Sequence, residues 1–161
     1  MTLEINSDWR TADICDEHAE AACCETPFVS YGRRRRFDGT VSTVRCHEDN
    51  VLVRAVLSEP GDGRVLIVDG SGSRRVALLG DNMAELAVSN GWTGLVVNGS
   101  VRDVRALAQI ALGVVAIGSS PRRSGKAGAG ARDVPVGFGG VVFTPGDRVF
   151  VDDDGVVVMV S

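Results

Sequence analysis

Three charged residues hold positions where chemistry is possible. Asp81 follows Gly80 at the head of one helix-like segment, and Arg102 and Asp103 stand side by side at the head of another. A short apolar run, 94–99, separates the two and reads as a buried strand. In open α/β sheets, ligands settle at the carboxyl ends of parallel strands, where helix N-termini face outward. Backbone N–H groups after Gly80 and Asp81 would favour a carboxylate there. Arg102 would add a fork of donors for an oxygen-rich substrate. Asp103 is suited to a hard divalent cation that keeps several waters, as Mg²⁺ does. The pattern therefore predicts an anion site, a cation and a metal carboxylate in one pocket.

Each residue also has an ordinary reading. Asp81 fits an N-cap, and Ser100 to Asp103 has the S-x-x-D spacing of a capping box. It is the pairing of the two junctions around one strand that favours a site over two unrelated caps.

The elements that must position these residues follow from periodicity. A first helix is predicted within 8–22, a strand over 40–46 and a helix over 48–59 that stops before Pro60–Gly61. The run 64–70 has a continuously apolar centre, Val65 to Val68, as in a strand buried on both faces. Helices over 80–91, with Gly91 as stop, and over 101–112 alternate with strands at 94–99 and 113–118. Such alternation predicts a partly parallel sheet with crossover helices. The stretch 139–161 changes to short strands broken by Pro-Gly and Asp-Gly turns, so the end of the chain is more antiparallel. One α/β domain over 1–161 with a mixed sheet is expected.

Composition narrows the function classes. The net charge of −4 works against general nucleic-acid binding, which draws its affinity from cations on phosphate. No apolar stretch approaches a membrane span, and "MTLEINSDWR" lacks a basic region followed by an apolar core, so a cytoplasmic protein is expected. Cys15, Cys23, Cys24 and Cys46 lack zinc spacing, and only His18 and His47 could join them; reduced thiols are the expectation.

Four further motifs are weaker. Gly70-Ser71-Gly72 begins like a dinucleotide fingerprint but has Arg75 at the third glycine position. The segment 119–132 invites a phosphate-loop reading, yet Lys126, the sole lysine, is followed by Ala127 rather than Ser or Thr. A mobile or interface loop whose cations attract anionic substrate is the better reading. The run Arg33 to Arg36 reads as a solvated face or a subunit contact, and Asp152 to Asp154 as a hairpin turn rather than a calcium loop.

Three blocks carry a resemblance: "RVLIVDGSGSRRVALLGDNMAELAVSNGWTGLVVNGSVRDV" (64–104), "PVGFGGVVFTPGDRVFVDDDGVVV" (135–158) and "TVSTVRCHEDN" (40–50). In this order they resemble the RraA-like family, which takes in regulators of RNase E, proteins mislabelled as MenG methyltransferases and divalent-metal pyruvate aldolases. The aldolase signature is an aspartate, twenty residues and then Arg-Asp, and Asp81, residues 82–101 and Arg102–Asp103 match it. The resemblance implies an α/β sandwich related to swivelling domains and assembled as a homotrimer. It implies a lyase that cleaves 4-hydroxy-4-methyl-2-oxoglutarate and decarboxylates oxaloacetate with Mg²⁺ or Mn²⁺. By the same resemblance Asp103 would bind metal, Arg102 the substrate oxygen, backbone groups of Gly80, Asp81, Asn82 and Met83 the substrate, and Asp81 a water. The dedicated aldolase branch has an acidic residue three positions after the Arg-Asp aspartate; this chain has Ala106. The alternative the family implies is a non-catalytic protein that binds and inhibits RNase E.

Metal dependence also follows from elimination among the residues. A covalent route needs a Schiff-base lysine, and Lys126 lies in a Gly-rich stretch without apolar surroundings to lower its pKa.

Overall fold

The computed structural model describes residues 4–161, so Met1 to Leu3 of the segment read for a leader lie outside it. In chain order the elements are α1 (Thr11–Glu17), β1 (Ala22–Cys23), β2 (Val29–Ser30), β3 (Phe37–Arg45), α2 (Val51–Leu57), β4 (Val65–Asp69), β5 (Ala77–Leu79) and α3 (Asp81–Ser89). There follow β6 (Gly94–Val101), α4 (Val104–Leu107), β7 (Gly113–Ser119), β8 (Ala131–Arg132), β9 (Val136–Phe138), β10 (Val141–Phe143), β11 (Arg148–Asp152) and β12 (Gly155–Met159). The main sheet runs β1-β12-β11-β3-β4-β6-β7-β2, with β5 added beside the end of β6 and β8 beside the end of β3. Its centre, β3-β4-β6-β7, is parallel, and its flanks are antiparallel. β9 and β10 form a separate hairpin. This is the mixed-sheet α/β domain expected from the sequence.

The apolar runs are continuous because the central strands bury both faces. In β4, Leu66 and Val68 join the core under the helices, with Val53, Leu57, Ala84 and Leu107. Val65 and Ile67 enter the opposite core, with Phe37, Phe143, Val149 and Val151. Successive side chains of a strand point to opposite faces, so the middle of a strand between two cores is apolar at each position. A third, smaller cluster joins Trp9 and Ile14 to Phe150, Val157 and Met159 and seats α1 on β11 and β12.

Two predicted helices are shorter than their periodicity. The first, expected within 8–22, is α1 alone. The Thr11 N–H and hydroxyl donate to the Asp152 carboxylate at 2.8 and 2.6 Å, fixing its start. Past His18 the chain turns and returns as β1, paired with β12. The helix predicted over 101–112 shrinks to α4 because β6 runs on through Val101, paired with both β5 and β7. After Leu107 the backbone bonds tighten to the i+3 type, as Gln109 and Ile110 donate to Ala106 and Leu107.

The capping readings are also corrected. Gly80 is the N-cap of α3, and Asp81 is its first helical residue. Ser100 is fully buried in β6, where its hydroxyl donates to the Arg74 carbonyl at 3.3 Å, so it caps nothing. Gly91 does follow the end of α3 with φ +82°, the left-handed stop expected of it. Likewise β11 and β12 pair Asp152 with Gly155 across a tight turn, the hairpin predicted there.

Candidate functional site

The ends of β5 and β6 lie side by side, and their exits are stitched together. The N–H of Arg102 donates to the Leu79 carbonyl at 2.9 Å, carrying the parallel pairing one residue past β6. The next residue, Asp103, takes φ +58° and ψ +42°. That left-handed conformation disfavours side chains generally but is tolerated by Asp. It turns the chain sharply from strand to α4 and returns the Asp103 side chain to the head of α3. There the N–H of Asp81 donates to Oδ2 of Asp103 at 3.1 Å.

Gly80 makes this approach possible. A Cβ at that position would lie 2.7 Å from Asp103 Oδ2 and 3.5–3.6 Å from the Cγ and Nε of Arg102. Its φ of −130° is open to any residue, so glycine is needed here for space.

The structure thus brings Gly80, Asp81, Arg102 and Asp103 into one corner. Asn82 lies exposed at its edge, and its N–H donates to Asp81 Oδ1 at 2.7 Å. Met83 is buried; its sulfur accepts from Asn50 Nδ2 at 3.3 Å, which leaves its backbone for the site. Of the first-turn N–H groups of α3, those of Asp81 and Asn82 go to carboxylates and that of Ala84 to the Gly80 carbonyl, which leaves that of Met83. The corner therefore combines one backbone donor for an anion, a guanidinium and an exposed carboxylate with one oxygen already oriented. Among the described residues no three acidic, His or Cys side chains gather within ligating reach of one another. A single hard oxygen ligand with water in the remaining positions is how Mg²⁺ is often held, so Asp103 fits that ion.

The sequence reading missed a neighbouring support. Asn50 is buried, and its amide donates to the Leu78 carbonyl at 3.2 Å while its Oδ1 accepts from Lys126 Nζ at 2.5 Å. The strand β5 that leads into Gly80, the helix carrying Met83 and the sole lysine thus meet on one amide. The loop around Lys126, read as mobile or an interface loop, is tethered. Ser120 donates to Val101, Ala77 to Arg122, and Gly125 to Glu48. Pro121 carries its carbonyl to within 3.5 Å of the Arg102 guanidinium, setting the loop on the border of the site. The only sequence signal was Asp49–Asn50 ahead of α2, which reads as an ordinary cap.

Asp49 fastens this loop. Its Oδ2 accepts from the N–H groups of Ala127 and Gly128 at 2.6 and 3.0 Å, and its Oδ1 from Val51. Burial pushes its carboxyl up, but the backbone donors of Val51, Ala127, Gly128 and Ala129 outweigh burial and hold it below the usual value. A depressed native value stabilises the fold fully above the ordinary aspartate range, about pH 3.9, and that contribution drains as pH falls through the native value. The amide shifts of Ala127 and Gly128 are expected to titrate with a midpoint below about 3.9, and the titration should vanish in Asp49→Asn.

The remaining motifs do not build sites. Gly70-Ser71-Gly72 turns from β4 toward β5, an extended strand; a dinucleotide fingerprint opens a helix. Of the arginine run, Arg35 pairs with Asp153 at 2.8 Å, and Arg36 donates to the Trp9 and Ser7 carbonyls and stacks on the Trp9 ring.

A mixed sheet with an Asp–Arg–Asp corner at the exits of two parallel strands defines a recognisable class. The RraA-like family model, Aldolase/RraA, matches residues 11–158, and the chain belongs to that family. It is 49% identical to a crystal structure named as S-adenosylmethionine:2-dimethylmenaquinone methyltransferase from Geobacillus kaustophilus HTA426, with a TM-score of 0.93 over 95% of this chain and 96% of that one. It is 45% identical to the RNA-processing inhibitor RraA from Thermus thermophilis, with a TM-score of 0.92 over 94% and 93%. A Streptomyces coelicolor protein described as an unusual member of the RNase ES inhibitor RraA family is 27% identical, with a TM-score of 0.75 over 92% and 78%. Among the described residues no helix is long and apolar enough to cross a membrane.

Proposed function

We propose that this protein is a divalent-metal-dependent carbon–carbon lyase that acts on small 2-keto acids through a pyruvate enolate. Oxaloacetate decarboxylation is the favoured reaction and cleavage of 4-hydroxy-4-methyl-2-oxoglutarate the slower one. The observation that carries the reading is the Asp81 N–H contact to Asp103 Oδ2, with Arg102 in the same turn.

The Asp103 carboxylate would hold Mg²⁺ or Mn²⁺, and when bound the ion supplies Lewis acidity at the substrate's keto oxygen. The Met83 N–H, the first-turn donor of α3 that Asp103, Asp81 and Gly80 do not take, would receive the substrate carboxylate, helped by the positive end of the helix. Arg102 donates to the keto oxygen as negative charge gathers there. In oxaloacetate the C3–C4 bond breaks, its electron pair passes to the keto oxygen as the enolate forms, and CO₂ departs. The enolate carbon then takes a proton from water to give pyruvate. Asp81, at the corner beside Gly80, orients that water. Ala106 on α4 offers no acid for the extra proton transfer of an aldol substrate, which is why decarboxylation is favoured.

Pyruvate release tests the reading. With Mn²⁺ or Mg²⁺ present, the protein should accelerate oxaloacetate loss over a metal-only blank, and EDTA should return the rate to background. Activity that survives EDTA, with borohydride trapping at Lys126, would replace metal chemistry by a Schiff base. The proposal includes a homotrimer with the corner completed between subunits, which a solution mass checks directly.

The 45% identity to the Thermus inhibitor favours a second reading, inhibition of RNase E by binding it. An acidic protein of net charge −4 suits basic disordered segments. Absence of binding to purified RNase E at micromolar protein would set this reading aside.

A further inference from the structure

At the far edge of the sheet two thiols face each other. Cys15 Sγ and Cys23 Sγ lie 3.0 Å apart, and both cysteines are free thiols. Two independent features of the fold hold them there. Cys15 follows Ile14, whose buried side chain docks α1 on β11 and β12, while the Asp152 carboxylate grips the start of that helix. Cys23 is fixed by the ladder, in which Ala22 pairs with Val158 and Cys23 with Val157 of β12. Bond formation requires the sulfurs to close by about 1 Å, to the usual separation near 2.05 Å.

We propose that Cys15 and Cys23 form an oxidisable pair, a modification site that a hydroperoxide converts into an intramolecular disulfide. Cys23 is the exposed member and meets the oxidant. The pair borders a cleft of about 170 Å³ whose wall includes Thr11, Ala12 and Gly155, large enough to admit a peroxide. Burial, and then the hydrogen bond and charge of Cys23, push the Cys15 thiol up to about 11, so Cys15 stays protonated and Cys23 takes the first step. In the first step the Cys23 thiolate attacks the peroxide, the O–O bond breaks, an alcohol or water departs, and Cys23 becomes a sulfenic acid. Cys15 sulfur then attacks Cys23 sulfur, the S–O bond breaks, and water leaves with the Cys15 proton. In sum, two thiols and one hydroperoxide give one disulfide, one alcohol (or water) and one water.

The other cysteines do not compete. Cys24, one residue past β1, also lines the cleft, but its side chain packs against the core beneath the β9–β10 hairpin, with its sulfur 3.8 Å from the Phe138 carbonyl. Cys46 is buried in the core under the helices, where burial pushes its thiol up to about 12. The product would fasten the last turn of α1 to an edge strand, adding a covalent tie to the Thr11–Asp152 bond at the other end of the helix.

The test is peroxide treatment of the reduced protein, followed by alkylation and mass spectrometry. Loss of two alkylatable thiols and of about 2 Da per chain is expected. Trypsin leaves Cys15, Cys23 and Cys24 together in the peptide from Thr11 to Arg33, so mapping needs cleavage after Glu17 or Glu20. The peptides on either side should remain joined until reduced, and thermal unfolding should move up by several degrees. In Cys15→Ser, dimedone should capture Cys23 sulfenic acid as the main product; Cys24→Ser and Cys46→Ser should form the link as wild type does. Circular dichroism of each variant separates loss of the pair from loss of the fold. A link between Cys23 and Cys24, an intermolecular link, dimedone capture at Cys23 in the wild type without a link, or no loss of thiols would each overturn the proposal.

Discussion

Replacing Asp103 by Ala is expected to lower metal-dependent pyruvate release by about 10³-fold or more while leaving a folded protein. The carboxylate has two tasks in the proposed site. One oxygen accepts the Asp81 N–H at 3.1 Å, which fixes its direction, and its negative charge is what a hard cation needs. The cost to the fold is small by comparison. Asp103 is exposed, so the Asp81 N–H can turn to water when its partner is removed. Alanine at φ +58° adds strain of about 1–2 kcal/mol. Two further variants separate charge from backbone. Asp103→Asn keeps an oxygen for the Asp81 N–H but loses the charge, and should be nearly as inactive. Asp103→Gly removes the left-handed penalty, and should match or exceed wild-type thermal stability with no recovery of activity. Steady-state rates with Mn²⁺ titration and a melting curve read all three. Asp103→Asn within a few-fold of wild type would remove the carboxylate from the mechanism.

The corner was legible in the sequence because its residues sit where strand and helix periodicities meet, and those junctions survive folding. Within 64–70 and 94–99, Val65 to Val68 and Leu95 to Val97 are apolar without interruption because β4 and β6 have a core on each side, and that signal does not depend on the rest of the fold. What a single sequence does not carry is competition between elements. The residues from Val101 onward have helical periodicity, yet β6 claims Ser100 and Val101 because β5 and β7 offer ladder partners on both sides. That extension puts Arg102 in the pairing plane and forces the left-handed turn at Asp103, so the missed boundary and the site geometry have one cause. The Asn50–Lys126 link was hidden for a similar reason: its members are 76 positions apart and meet only through the tertiary fold. The predicted S-x-x-D box failed because Ser100 is inside the sheet. The Asp103 side chain accepts from the head of another helix, α3, rather than from its own.

Gly80→Ala should separate the placement of the carboxylate from its presence. The new methyl group would start 2.7 Å from Asp103 Oδ2, well inside van der Waals contact, so one of the two must move. The backbone at Gly80 has φ −130° and ψ −170°, an extended conformation that alanine adopts without strain. The half-buried loop end offers the carboxylate room to rotate toward solvent, which breaks the Asp81 contact but little else. Stability is therefore expected to stay near wild type, with about 0.4–1 kcal/mol gained from the less flexible unfolded chain set against the local clash. Activity is expected to fall by about 10²-fold, the usual scale for displacing a catalytic group by roughly an ångström. Metal affinity should weaken in parallel, because the same carboxylate is displaced. Gly113→Ala is the opposite control. Its Cβ would lie 2.1 Å from Cδ1 of the buried Phe37 ring, so it should unfold the protein at lower temperature while the corner's residues are untouched. A Gly80→Ala variant that keeps full activity and metal affinity would show that the reaction does not depend on where this turn holds Asp103.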